Sequence, residues 1–305
     1  VLPSGRQHEI RYADQRAVIT EVGATLRAYE VAGFAVLDGF SPDAMASAGR
    51  GQPLIPWPNR VADGRYEFDG RTHELALTEP RLHNAIHGLV RWSSWELLGA
   101  TAARVRLGHH LWPQPGYPFH LALELEYELG PDGLRVTIGA ENAGSERAPY
   151  GAGQHPYLRA QLGTIDGSSL RLPAILRLET DDRQIPTGRR LDVTGTEFDF
   201  IEPRPIGPLR FDTAFAGLRR DADGKARAVI CAPAGGRRVT MWMDAGFDYL
   251  MVFSGDPLSG AERRQSLALE PMTCAPDAFR NGRGLLVLAP GERAAASWGV
   301  SVGFE

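Results

Sequence analysis

The sequence is short of several things. It has two cysteines, Cys231 and Cys274, far apart and in no Cys-x-x-Cys pair, which excludes a zinc knuckle, a dithiol redox motif and a disulfide-built scaffold. Lys225 is the only lysine, so 32 of the 33 basic side chains are arginine. With high Ala and Gly, this reads as the codon bias of a GC-rich genome, and an arginine here needs more than its identity to count as functional. No apolar run approaches the roughly 20 residues of a membrane span, and no block of five like charges occurs. The formal charge is −4, from 33 basic and 37 acidic residues, so nothing marks a nucleic-acid or membrane surface. A small-molecule partner is expected. Residues 1–16 are too charged for the apolar core of a signal peptide, and a cytoplasmic location is expected.

What the chain has in excess is punctuation: 35 Gly and 22 Pro among 305 residues. With 43% hydrophobic and 23% charged residues, that composition describes a folded, turn-rich protein rather than a disordered one. Six apolar residues from Phe119 to Leu129 alternate with His120, Ala122, Glu124, Glu126 and Glu128, the pattern of a half-buried strand. The alternation resumes at Leu134, Val136, Ile138 and Ala140 after Asp132-Gly133, which predicts a long antiparallel hairpin. Shorter strand runs are expected at 17–22, 26–31, 65–68, 72–75, 95–98, 104–107, 170–178, 237–243, 249–253, 266–269, 285–288 and 297–302. Asp69-Gly70 and Gly235-Gly236 carry the dipeptides of tight bends. Short helices are expected only at 42–47 and 277–281. With no linker, no repeat and no βαβ rhythm, the expectation is an all-β fold: one large antiparallel β-sandwich spanning 1–305.

A strand protein carries its chemistry on loops and strand ends. Five polar residues sit beside Gly or Pro or at a strand end: Arg60, His87, His155, Asp212 and Glu270. Proline follows both His155 and Glu270, which biases their backbones toward extended conformations. Leu267 and Leu269 share one strand face, so Glu270 is expected on the other, at the strand's end. A metal is not expected. His83-x3-His87 would share a face only on a helix, and Pro80 and Gly88 bracket that stretch; His109-His110 on a strand would point to opposite faces. No Gly-x-Ser-x-Gly elbow, phosphate loop or dinucleotide fingerprint occurs.

Several segments, in order, resemble the aldose 1-epimerase (galactose mutarotase) family. These are Asn59-Arg60 leading to Asp69-Gly70, then Asn84 to Gly88, Pro115-Gly116-Tyr117-Pro118, His155-Pro156-Tyr157, Asp212 before Ala214-Phe215, Glu270-Pro271, and Pro290-Gly291-Glu292. The resemblance runs from about residue 50 to residue 292. It implies that family's large β-sandwich and a cofactor-independent mutarotation of a monosaccharide such as glucose or galactose. It further implies Glu270 as general base at the C1 hydroxyl, His155 as general acid at the ring oxygen and His87 as the second histidine there. Asn59, Arg60 and Asp212 match hydroxyl-binding positions, and Tyr157 belongs to a substrate-contact motif. An unperturbed histidine is mostly neutral at pH 7, and Glu270 or Asp212, if close to His155, would favour its charged form. Trp57, Trp92 and Phe253 are candidates for an apolar platform under the sugar ring. Met251 and Phe253 depart from what relatives often carry before Ser254-Gly255. The sugar's identity stays open, including a sulfo- or phospho-hexose, as do a non-catalytic sugar-binding role, glycoside hydrolysis by Asp212 and Glu270, and a monomeric or homodimeric state.

Overall fold

A computed structural model describes residues 1–233 and 236–304 of the chain. Two large antiparallel sheets dominate it. In the nine-stranded sheet, Leu121–Gly130 and Gly133–Asn142 form the expected hairpin, paired residue for residue from Leu121↔Asn142 to Gly130↔Gly133. Their apolar side chains are buried on one face while the intervening residues remain partly accessible or exposed, the outcome that period-two alternation demands.

The eight-stranded sheet runs in the order Pro186–Asp192, Ala174–Thr180, Asp212–Leu218, Tyr249–Phe253, Leu267–Met272, Gly153–Gln154 and Pro53–Leu54, with Tyr157–Leu158 also paired to Leu267–Met272. Its Leu250, Val252, Leu267 and Leu269 join Leu123, Leu125, Val136 and Trp298 of the nine-stranded sheet in one hydrophobic cluster that extends from Ile10 to Val300. Burying apolar faces from both sheets against each other is what makes a sandwich. Gln154 ties the layers with satisfied polar contacts: its amide donates to the Tyr127 hydroxyl and its carbonyl oxygen accepts from the Trp298 indole N–H.

Several expectations need correction. Residues 42–47 are a short turn and bend followed by irregular backbone rather than a helix, while Ala278–Asn281 is helical as expected. The run at 170–178 is two strands, Ser169–Arg171 and Ala174–Thr180, because Pro173 cannot donate to a ladder. Strands Gln7–Tyr12, Pro186–Asp192, Asp212–Leu218 and Ala226–Cys231 were not expected; Pro186–Asp192 carries arginines and a glycine where strands usually carry β-branched residues. Gly235 of the Gly235-Gly236 bend lies outside the described residues. Cys231 and Cys274 are both buried and not joined in a disulfide. Among the described residues, no helix is long and apolar enough to cross a membrane.

Candidate active site

The register of the eight-stranded sheet explains why its second face carries polar groups. Met251 lies opposite Glu270, Phe253 lies opposite both Asp212 and Ala268, and Tyr157 lies opposite Ala268. Directly paired residues share a face and neighbours two apart share it again. Asp212, Phe253, Met251, Glu270 and Tyr157 therefore project together, away from the leucine-and-valine face. Glu270 is inside its strand rather than at its end, since the strand continues through Pro271 to Met272.

These residues form one wall of a cavity of about 270 Å³, near the lower bound of about 300 Å³ usual for small-molecule pockets. Asn59, Arg60, His87, His155, Arg91 and Trp92 complete much of it, so all eight expected site residues line one cavity. Trp57 does not: it is buried in the core with its ring 5.4 Å from that of Phe279. Trp92, 54% exposed, stands at the cavity instead.

Its centre is a buried contact of 3.2 Å between His155 Nε2 and Glu270 Oε1. Among the described residues, His155 Nδ1 and Glu270 Oε2 have no hydrogen-bond partner. Leaving buried polar atoms unpaired costs roughly 1–3 kcal/mol each, so such atoms mark a site built for something other than stability. Tyr157 stacks on His155 with centroids 4.9 Å apart, and the Arg50 guanidinium lies 4.7 Å from the Tyr157 centroid. The Tyr157 hydroxyl donates to Ala48 O at 2.9 Å. Gly49 (φ +77°) makes the loop's approach possible, because a Cβ there would stand 2.7 Å from His155 Cδ2.

His87 is held differently. Asn59 and His87 both have left-handed backbones, at φ 58° and 63°, and they clasp each other: the His87 N–H donates to Asn59 O, while the Asn59 N–H donates to His87 Nδ1 at 3.2 Å. An accepting Nδ1 puts the neutral ring's proton on Nε2. The Asn59 side-chain oxygen accepts from the Arg60 N–H, and Arg60 makes a bidentate pair with Glu79 at 2.8 and 2.9 Å. Asn59 thus orients its neighbours, which its expected hydroxyl-binding role did not anticipate.

Ligating atoms of His87, His155 and Glu270 lie within 4.8 Å of one another, a trio that the sequence spacing, which pairs His87 with His83, does not show. His83 instead contacts Asp63 on the surface. The trio fits a metal poorly, because His87 bears a proton on the nitrogen that a metal would need as a lone-pair donor.

Burial governs the electrostatics. It pushes the Glu270 carboxyl well above its ordinary value, with the Asp212 charge adding and Arg60 opposing. It pushes His155 down to about 3, helped by the positive fields of Arg91 and Arg50, and lowers His87 well below its usual range. Asp212 is raised, first by burial. A carboxylate does stand beside His155, yet desolvation outweighs its attraction and His155 is lowered rather than raised. Both shifts favour the neutral form of the group, protonated for Glu270 and unprotonated for His155.

The sequence model of the aldose 1-epimerase family matches residues 7–300. The chain belongs to the aldose 1-epimerase family. It is 35% identical over 290 residues to the uncharacterized Escherichia coli K12 protein YihR, covering 95% of this chain and 91% of that one. Human galactose mutarotase is 29% identical over 232 residues, 68% of this chain and 64% of that one. Among solved structures, a GalM/aldose epimerase homologue from C. elegans superposes with a TM-score of 0.88 at 17% identity, covering 98% of this chain and 99% of that one. A galactose mutarotase-like protein from Clostridium acetobutylicum gives 0.85 at 19%, with 98% coverage of both. The fold is thus that of galactose mutarotase-like proteins. Arg91 is the residue of this epimerase-family cavity that sequence reasoning missed: it lies four positions after His87 and beside Trp92, and the arginine excess concealed it.

Proposed function

We propose that this protein is a cofactor-independent mutarotase that interconverts the α and β anomers of a hexose. The observation that carries the reading is the buried contact of 3.2 Å between His155 Nε2 and Glu270 Oε1 at a cavity of about 270 Å³. Ring opening takes the proton from the C1 hydroxyl, forms the C1 carbonyl, breaks the bond from C1 to the ring oxygen and delivers a proton to that oxygen. Rotation about C1–C2 and the reverse steps give the other anomer. Proton count is unchanged, so one base and one acid suffice.

The pair supplies both when it carries one proton and that proton rests on His155. Ionised Glu270 is then the base at the C1 hydroxyl and protonated His155 the acid at the ring oxygen, each worth typically 10²–10⁴-fold. Hydroxyl donors from a bound sugar favour the ionised carboxylate. His87, donating through Nε2–H, polarises the ring oxygen. Arg60 and Asp212 bind hydroxyls, Asn59 holds His87 and Arg60 in place, and Tyr157, Phe253 and Trp92 offer apolar contact to the ring. A non-catalytic sugar binder would have no use for the buried pair, and hydrolysis by Asp212 and Glu270 would leave both histidines idle. We read residues 1–305 as one unit and, from the cysteine usage, assign it to a reducing compartment such as the cytoplasm.

Polarimetry on freshly dissolved α-D-glucose and α-D-galactose tests the proposal. The protein should shorten the approach to anomeric equilibrium in proportion to its concentration. No acceleration with a panel of aldoses would overturn it.

A further inference from the structure

Two arginines line the cavity and are housed in opposite ways. Arg60 is neutralised by its bidentate pair with Glu79. Arg91 has no carboxylate partner among the described residues; its guanidinium makes only long contacts, 3.5 Å to Gln52 Oε1 and 3.4 Å to Ile86 O, and lies 5.8 Å from the Trp92 ring centroid. The buried Gln52 holds the backbone from which the group projects, donating from Nε2 to Arg91 O at 3.0 Å. Guanidinium does not discharge by losing its proton, and a partly desolvated cation without a counter-charge is costly. A planar fork of donors facing a cavity in that condition suits an oxyanion.

Its position says which end of a sugar the anion would occupy. Arg91 stands beside His87, its Nη2 reaching the carbonyl oxygen of the preceding residue, Ile86, at 3.4 Å, whereas Glu270 projects from the sheet wall opposite Met251. In a pyranose the ring oxygen is bonded to C1 and C5, and C5 carries C6. With Glu270 at the C1 hydroxyl and the histidines at the ring oxygen, a placement that rests on the mutarotase reading above, the C5 substituent extends past the histidines on the side away from Glu270. Arg91, in contact with the residue before His87, stands at the histidine end of the cavity.

We propose that the preferred substrate is an aldohexose bearing an anionic group on C6, and that Arg91, positioned by Gln52, binds that group. Sulfonate, phosphate and carboxylate share the required chemistry. The inference also gives Trp92 a role, as the exposed ring beside the charged end of the sugar.

Anomer exchange followed by NMR separates the possibilities, with glucose, 6-deoxy-6-sulfoglucose, glucose 6-phosphate and glucuronic acid as four arms. At least one anionic sugar should show a kcat/KM ~10–100-fold above glucose, the range of one charge-assisted contact. Added salt should erode the advantage. Arg91→Gln should raise KM for that sugar ~10–100-fold and carry the anionic-to-neutral ratio toward one, while Arg91→Lys, which keeps the charge and loses the fork, falls between. The inference is overturned if glucose matches or exceeds all three anions, or if Arg91→Gln leaves the ratio unchanged; mutarotation of glucose alone would then stand. Failure with every sugar would instead remove the mutarotase reading and this inference with it.

Discussion

The two large sheets of this protein obey different rules. Along the nine-stranded sheet, Leu121 to Leu129 and Leu134 to Ala140 bury every second residue, the strands pair without a break, and the buried Gln154 amide that touches this layer finds partners on Tyr127 and Trp298. On the far face of the eight-stranded sheet, Glu270 is buried in a strand without an exposed position, its Oε2 has no partner among the described residues, and burial pushes its carboxyl upward, with Asp212 adding and Arg60 opposing. The facing apolar sides of both sheets stabilise the molecule, and the far face of the eight-stranded sheet holds groups that are costly to hold. Buried polar atoms that lower stability while lining a cavity are a signature of function rather than of folding.

The contrast is sharpest at Glu270. Glu270→Gln should reduce mutarotation by about 10²–10⁴-fold and, at pH 7, stabilise the free protein by roughly 1–3 kcal/mol against urea, the scale of a poorly compensated buried polar group. The sign follows from its raised pKa. Below the ordinary carboxyl value both folded and unfolded forms are protonated and the variant gains nothing; as pH rises through that value the unfolded chain ionises first, so the wild type loses stability and the variant's advantage grows. An advantage that is largest in acid would contradict the assignment.

Leu125→Ala strikes the other sheet, removing a fully buried side chain from the main core. Unfolding in urea should show a loss of about 2–5 kcal/mol, with the mutarotation rate per folded molecule unchanged. Gly49→Ala blurs the distinction: it demands φ +77° of an alanine and drives a methyl against His155. A loss of about 1–2 kcal/mol should accompany a clear fall in kcat in polarimetry. The smallest effect belongs to the exposed outer face, where Glu124→Gln breaks the solvent-screened Arg106–Glu124 pair and should leave the urea midpoint nearly unmoved and the rate unchanged.

Legibility follows the same division. The long hairpin could be read because Leu121 to Ala140 alternate at period two, and periodicity survives any tertiary context. Pro186–Asp192 could not, since residues such as Arg189 and Arg190 have no strand signature of their own and take their conformation from pairing with Ala174–Thr180. Among site residues, the motifs around His155 and Glu270 pointed to both, yet proximity across 115 positions is a property of sheet order and not of local sequence. Their protonation was misjudged for a related reason: charge proximity can be anticipated from motifs, whereas complete burial cannot. Trp57 and Trp92 were indistinguishable as aromatic candidates until packing placed one against Phe279 and the other at the cavity.

The central claim is that Glu270 and His155 act as one proton-sharing unit, and a double-mutant cycle tests it most directly. Polarimetric kcat/KM should be measured for wild type, Glu270→Gln, His155→Asn and the double variant. Each single change should cost about 10²–10⁴-fold, and the double variant should be no slower than the worse single one, as groups that work together are strongly non-additive. Losses that multiply, or a Glu270→Gln variant at full rate, would contradict it.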